Sequence, residues 1–311
     1  MNTENTIICL MGPTASGKTD LAIALTQHFP CEIISVDSAM VYRGMDIGTA
    51  KPTQAELEKA PHHLINICDP EEAYSAGRFR EDALELIEAI LARGHLPLLV
   101  GGTMLYFHIL QNGVASLPTA DKTIRDALLK EAQELGWPHM HNQLKTIDPD
   151  MAAQLHPNDT QRIQRALEVY RISGQTMTEL QSLQTANTLN YDVINLALLS
   201  NDRSHLHQRI AMRFHKMIES GLIAEVKNLR KNPKLHTELP SMRTVGYRQV
   251  CQHLDGQYDY DEMIDRGIIA TRQLAKRQMT WLRRWPDLKS FDCEDKTLHQ
   301  QVITYLEQKL A

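Results

Sequence analysis

The sequence predicts an α/β fold in which a parallel sheet carries helices on both faces and an all-helical segment is inserted. Three features predict it. Short apolar runs alternate with longer amphipathic segments through the first hundred residues. A polar, helical stretch then breaks the pattern from about 118 to 190, and a further strand-like run resumes it. Alternation of this β-α-β kind implies parallel strands joined by crossover helices.

Taken in order, Thr6–Met11, Glu32–Val36, His63–Ile67 and Pro97–Val100 read as strands. Between them, Thr19–Phe29 and Gly77–Arg93 read as helices. In the second, Phe79, Ala83, Leu86, Ile87, Ile90 and Leu91 recur at helical spacing. The stretch 118–190 is broken by Gly136-Trp137-Pro138, Asp148-Pro149 and His156-Pro157. Strand character returns at Val193–Leu199. Helices are expected over His205–Ser220, Leu222–Arg230, Asp261–Trp285 and Thr297–Leu310. Residues 1–117 are thus read as the first part of a core, 118–190 as a helical insertion domain, and 191–311 as the continuation of the core with C-terminal helices.

At 311 residues, 42% hydrophobic and 23% charged, the chain has the composition of a globular protein. A formal net charge of −5 means that any contact with nucleic acid must come from local basic patches. The apolar run Thr6–Met11 is too short for a signal peptide or a membrane span. Five cysteines lie scattered with no C-x-x-C pair, as expected of reduced thiols. A cytoplasmic protein without membrane contact is expected, and, with no exposed heptad, a monomer.

Gly12, Pro13, Thr14, Ala15, Ser16, Gly17, Lys18 and Thr19 fit G-x-x-x-x-G-K-[ST], placed after a strand and opening a helix. In such a P-loop the glycines let successive backbone N–H groups point at phosphate oxygens. The helix N-terminus and Lys18 add positive charge, and Thr19 is placed to ligate Mg²⁺. The motif predicts a P-loop NTPase-like core that binds a diphosphate or triphosphate, without saying which. Asp37 follows the second strand, at the end where parallel strands converge on a ligand crevice. A carboxylate there can hold metal-bound water or accept a proton, or can be a loop or helix-capping residue. Gly101-Gly102-Thr103 ends another strand, where Thr103 can approach the ligand, cap the next helix, or both. His62 and His63 are adjacent on a strand and point to opposite faces, so no transition-metal site is expected from them.

The segments GPTASGKT, VDSAMVYRGMDIGTAKP, PHHLINICDP, GGTMLYF, QRIQRALEVY, RTVGYRQ and KRQMTWLRRW occur in this order, from the P-loop to Trp285. Together they resemble the bacterial tRNA dimethylallyltransferase (tRNA isopentenyltransferase) family. The resemblance implies transfer of a dimethylallyl group from dimethylallyl diphosphate to N6 of the adenosine just 3′ of the anticodon in tRNA. Diphosphate is released and Mg²⁺ is the implied cofactor. By position, Asp37 resembles the general base, and Thr103 and Arg213 resemble diphosphate-contacting catalytic residues. Four segments resemble tRNA contacts: Asp37, Ser38, Ala39 and Met40; then Gln161, Arg162, Ile163, Gln164 and Arg165. The third is Arg243, Thr244, Val245, Gly246, Tyr247 and Arg248. The fourth is Lys276, Arg277, Gln278, Met279, Thr280, Trp281, Leu282 and Arg283.

The chemistry fits these residue types. Adenine N6 is a poor nucleophile, and a carboxylate within about 3 Å would aim it and take its proton. Departing diphosphate gathers negative charge, which Lys18, the loop amides, Mg²⁺ at Thr19 and Arg213 would meet. The base must also swing out of its stack. On the Asp261–Trp285 helix, Ile264, Ile268, Ala275, Met279 and Leu282 share an apolar arc. Arg272, Lys276 and Arg283 flank it, and Arg266, Arg277 and Arg284 lie on the polar side. Trp281 and Trp285 can stack on bases or pack in the core. Ile163, Ala166, Leu167 and Tyr170 are expected to face inward beneath Arg162 and Arg165. The competing readings are a prenyltransferase acting on free AMP, ADP or ATP, a P-loop kinase, and a non-catalytic RNA-binding module.

Overall fold

A computed structural model describes residues 5–113, 117–183 and 189–311. The chain forms two compact units, one from residues up to Leu110 together with Asn190–Ala311, the other from Gln111–Leu189. Among the described residues the first unit holds six strands: β1 (Thr6–Met11), β2 (Cys31–Val36), β3 (His62–His63), β4 (Leu96–Gly101), β5 (Asp192–Leu199) and β6 (Leu288–Asp292). They pair in parallel in the order β3-β2-β4-β1-β5-β6. Helices α1 (Lys18–His28), α2 (Gln54–Lys59), α3 (Ala76–Ala92) and α4 (Met104–Asn112) follow the early strands. The second unit contains only helices: α5 (Lys122–Leu135), α6 (Trp137–Ile147), α7 (Pro149–Gln154), α8 (Thr160–Ser173) and α9 (Met177–Ser182). The first unit then resumes with α10 (Arg203–Glu219), α11 (Leu222–Leu229), α12 (Tyr247–Leu254), α13 (Tyr260–Leu282) and α14 (Leu298–Leu310).

The sheet is buried on both faces, which is why β1 and β4 are buried throughout and, apart from Thr6, carry no polar side chain. Ile8, Leu10, Leu98, Leu196 and Leu198 pack with Leu21 and Leu25 of α1 and with Val302 and Leu306 of α14. Alternate strand residues point the other way. α3 packs against β4 and β2 through a face that buries Phe79, Ala83, Ile87 and Ile90. Phe79, Ile87 and Ile90 each contribute about 1.5–3 kcal/mol when fully buried, and the single methyl of Ala83 less. A separate apolar cluster joins Leu206, Ile210 and Phe214 of α10 to Ile268 and Ala275 of α13 and to Ala15. Gly267 lets the two helices approach, because a Cβ there would run into the Phe214 ring. This cluster fixes α10 and α13 against the phosphate loop.

The second unit has its own core of Leu128, Ala132, Met140, Leu144, Ile163, Leu167 and Val169. Within it Glu168 is fully buried and accepts from Arg125 Nε (2.9 Å), Arg165 Nη1 (2.9 Å) and the Asp121 amide (2.9 Å). Arg165 also donates through Nη2 to the Pro118 carbonyl at 2.7 Å. Ile163 faces inward as its spacing predicts, and this burial corrects the expectation that its side chain contacts tRNA. Tyr170, expected inward, is 37% exposed, because the apolar arc of α8 is completed by Val169 instead.

Elsewhere the sheet differs from expectation at both edges. The expected strand His63–Ile67 stops after His63, since Leu64 (φ 61°) and Asn66 (φ 56°) adopt left-handed backbone that cannot extend a ladder. At the other edge β6 was not anticipated. In its sequence, LKSFD, only Phe291 is buried.

Candidate active site

β1 delivers the chain into a loop that turns by left-handed steps at Ala15 (φ 63°) and Gly17 (φ 87°). Gly17 is the N-cap of α1 and lends no side chain, so the first amides of that helix are left to face the cavity. Gly12 is required by space: a Cβ there would lie 2.8 Å from Ser16 Oγ and 2.9 Å from the Leu198 carbonyl. Thr14 through Thr19 line a cavity of about 980 Å³, together with Asp37, Thr103, Arg209 and Arg213. Pro13 is buried behind the loop.

The cavity carries an excess of positive charge. Lys18 Nζ donates to the Gly12 carbonyl (2.8 Å), the Pro13 carbonyl (2.7 Å) and Ser16 Oγ (3.3 Å). Burial, and then the Arg213 charge, push its pKa down to about 7, against the opposing pull of Asp37. Burial likewise lowers Arg213, with Asp37 opposing and Arg209 adding to the effect. Arg209 and Arg213 stand one turn apart on α10. The Arg209 guanidinium lies over the loop, 3.5 Å from where a Cβ on Gly17 would sit. Crowded cations of this kind are stabilised by a polyanion placed among them.

Asp37 follows β2 and is held by the turn it begins. Its Oδ1 accepts from the amides of Ala39 (2.8 Å) and Met40 (3.2 Å). Both bonds fall on one oxygen, so Oδ2 is the atom left to receive a proton. Thr103 Oγ1 accepts from the Ser38 amide at 3.0 Å and donates to Ser38 Oγ at 3.4 Å, which ties the end of β4 to this turn. Ser38, Ala39 and Met40 line the same cavity.

The loop beyond is held from a distance. Glu225 of α11 accepts from the amides of Asp46 (2.9 Å), Ile47 (2.8 Å) and Gly48 (3.2 Å), and from the Tyr247 hydroxyl. Lys51 Nζ donates to the Tyr42 carbonyl, Asp46 Oδ1 and Asn66 Oδ1 at 2.6–2.7 Å. Arg243, Thr244, Val245 and Gly246 line the cavity, whereas Tyr247 is fully buried against Gly48 and Arg248 lies off the wall. Tyr247 is therefore a structural residue rather than a surface for RNA.

On α13, Arg277, Gln278 and Trp281 line the cavity, while Lys276, Thr280 and Arg283 are exposed away from its wall. Met279 turns toward the α10–α13 cluster, and Leu282 is buried, so neither side chain is placed to meet RNA. Trp285 belongs to the core, edge-on to Phe107, leaving Trp281 as the accessible indole. Arg266 is spent on Glu262 and on the Tyr258 ring. Gln161, Arg162, Ile163, Gln164 and Arg165 all lie on α8 of the second unit, where Gln161 and Arg162 are exposed. Arg209 and Glu225 were missed from sequence. The four-residue spacing of Arg209 and Arg213 on an amphipathic helix was the available signal for the first.

Comparison with known proteins agrees with this geometry. A family model described as IPP transferase matches residues 40–285, and one described as isopentenyl transferase matches residues 5–70. The chain belongs to the IPP transferase family. A family member from Coxiella burnetii, a tRNA dimethylallyltransferase, is 57% identical over 307 residues, covering 99% of each chain. Two solved members share the fold. The tRNA isopentenylpyrophosphate transferase of Bacillus halodurans superposes with a TM-score of 0.72 at 35% identity, covering 99% of this chain and 97% of its own. A eukaryotic dimethylallyltransferase acting on tRNA gives 0.83 at 30% identity, covering 98% of this chain and 79% of its own. Among the described residues, no helix is long and apolar enough to cross a membrane.

Proposed function

We propose that this chain transfers the dimethylallyl group of dimethylallyl diphosphate to N6 of the adenosine 3′-adjacent to the anticodon in tRNA, releasing diphosphate. The observation that carries the reading is a single cavity that brings together a phosphate loop, the cations Lys18, Arg209 and Arg213 beside it, and one oriented carboxylate. A kinase would use the phosphate loop and a carboxylate, but it leaves the segment from Val41 to Pro52 and the last hundred residues without a role. An RNA-binding module has no need of the phosphate loop.

In the reaction N6 forms a bond to C1 of the allyl group as the C1–O bond breaks, its electron pair leaving with diphosphate. The N6 proton passes to Asp37 Oδ2, and Thr103 keeps the Asp37–Met40 turn in place by accepting from Ser38. Lys18, released from the Gly12 and Pro13 carbonyls, turns to the diphosphate with Arg213 and Arg209. The α1 amides complete the set of donors. Such preorganised donors stabilise departing charge without the cost of reorganising solvent.

Thr19 and Asp37 both offer oxygen donors on the cavity wall, and among the described residues no cluster of three His, Cys, Asp or Glu could itself hold a metal. That donor set suits Mg²⁺, which takes oxygen ligands and draws the rest from phosphates and water. Bound there through Thr19, Mg²⁺ would neutralise part of the leaving group's charge. Arg243, Arg277 and Trp281 are proposed to meet the RNA at the cavity, and Lys276, Arg283, Gln161 and Arg162 along exposed faces of their own units. The protein is proposed to act as a cytoplasmic monomer. Label transfer from dimethylallyl diphosphate to unmodified tRNA tests the reading. Label appearing in AMP but not in tRNA would overturn it in favour of an adenylate prenyltransferase.

A further inference from the structure

Gln278 sits on the helix whose exposed residues are proposed to meet RNA, yet its own bonds go to the other substrate's site. Its Oε1 accepts from the Thr14 amide at 2.9 Å, and its Nε2 donates to the Gly102 carbonyl at 2.8 Å. Only 8% of the residue is exposed. These two partners lie just past the point where neighbouring strands separate. β1 and β4 are paired as far as Met11 and Gly101. Beyond that pair one chain curls into the phosphate loop and the other turns through Thr103 into α4. The Gln278 carboxamide spans this divergence with both of its hydrogen-bonding functions.

A second feature points the same way. Gly102 has no room for a side chain, because a Cβ there would run into Gln278 Nε2. The absence of a Cβ at 102 and the length of the side chain at 278 are therefore matched to one another. α13 itself is fixed against the loop by Ala275, which packs with Ala15 and Ile210. The side chain thus reaches from a rigid base.

We infer that Gln278 is a positioning residue for the diphosphate donor: it holds the entry of the phosphate loop at a set distance from the strand end that carries Thr103, and it makes no contribution to RNA affinity. The inference rests on the donor lying at the phosphate loop. A loop freed at Thr14 loses the alignment of the amides that follow. Thr103, freed at Gly102, no longer holds the Ser38 amide in register with the loop.

The test separates donor from acceptor. Gln278→Met keeps the volume and removes both hydrogen bonds, and Gly102→Ala displaces the carboxamide without a substitution on α13. Each is expected to weaken inorganic pyrophosphate binding about tenfold by calorimetry, the scale of one to two lost buried hydrogen bonds. Each is also expected to raise the donor KM and lower kcat, with the tRNA KM unchanged within about twofold. Gln278→Glu, which can accept from Thr14 but cannot donate to Gly102, is expected to fall no closer to wild type than Gln278→Met. Pyrophosphate affinity unchanged in both Gln278→Met and Gly102→Ala, with the tRNA KM raised instead, would overturn the inference and return Gln278 to the RNA surface. Because pyrophosphate binding is measured without tRNA, it remains decisive even if transfer to tRNA fails and the proposed activity is wrong.

Discussion

Lys18 makes the strongest quantitative prediction. In the free protein its ammonium is buried with two arginines for neighbours, and its pKa is pushed down to about 7. A diphosphate placed between Lys18, Arg209 and Arg213 supplies the missing counter-charge, so Lys18 must be fully protonated in the complex. At pH 8 a group of pKa about 7 is roughly nine-tenths neutral, so binding takes up about 0.9 proton. From pH 7 to pH 9 the same group alone weakens binding about 50-fold. Titrating pyrophosphate by calorimetry at pH 8, in two buffers of different ionisation enthalpy, measures the uptake directly. Lys18→Met supplies the baseline for protons exchanged by the ligand itself. Enthalpies that depend on buffer no more than the Lys18→Met baseline would refute the reasoning, because Lys18 would then be charged before the ligand arrives. The same shift has a signature without ligand. The folded pKa lies below the unfolded value near 10.5, so the unfolded chain binds the extra proton between them. Stability of the free protein from this group is lowest below pH 7. It rises as pH climbs toward 10.5, by up to about 1.4 kcal/mol per pH unit.

Arg213→Gln is expected to lower kcat by roughly 10²–10³ through loss of a leaving-group donor, read by single-turnover transfer. Arg209→Ala, which removes the cation over Gly17, should raise the donor KM about tenfold in steady-state assays while tRNA binding by filter assay is retained. Glu225→Ala leaves the amides of Asp46, Ile47 and Gly48 and the Tyr247 hydroxyl without their acceptor, and should cost about 2–4 kcal/mol in urea unfolding. It should also speed hydrogen exchange at those three amides. Gly12→Ala forces a methyl between Ser16 and Leu198, and should abolish pyrophosphate binding before it unfolds the sheet, as seen by calorimetry against circular dichroism.

The central strands and the phosphate loop were legible in the sequence because both obey local rules. β1, β2, β4 and β5 are apolar runs bounded by polar segments, and the loop has a fixed spacing between a strand and a helix. The sheet edges were not legible. β6 presents only Phe291 to the core, and β3 is cut short by left-handed backbone at Asn66 and, first, at Leu64, a residue type that does not announce it. α12 was hidden because its start, Gly246-Tyr247-Arg248, carries charge and an aromatic ring, which are features of a surface patch. Tyr247 in fact serves the interior through Glu225. Asp37 and Thr103 could be found because each ends a strand, and strand ends converge. Glu225 and Gln278 act on backbone amides 177–179 and 264 residues away, and no local pattern encodes such a partner. Arg277 and Gln278 are neighbours on one helix and both line the cavity, yet only three-dimensional structure separates an exposed charge from a buried carboxamide bound to the phosphate loop.

The most direct test of the account is label transfer from dimethylallyl diphosphate to unmodified tRNA by wild type and by Asp37→Ala, with AMP as a parallel acceptor. The account predicts labelled tRNA and unlabelled AMP with wild type, and a rate lower by about 10²–10⁴ once the carboxylate is gone. Transfer that survives in Asp37→Ala at the wild-type rate would contradict the proposed base, and absence of label from tRNA would contradict the proposed function itself.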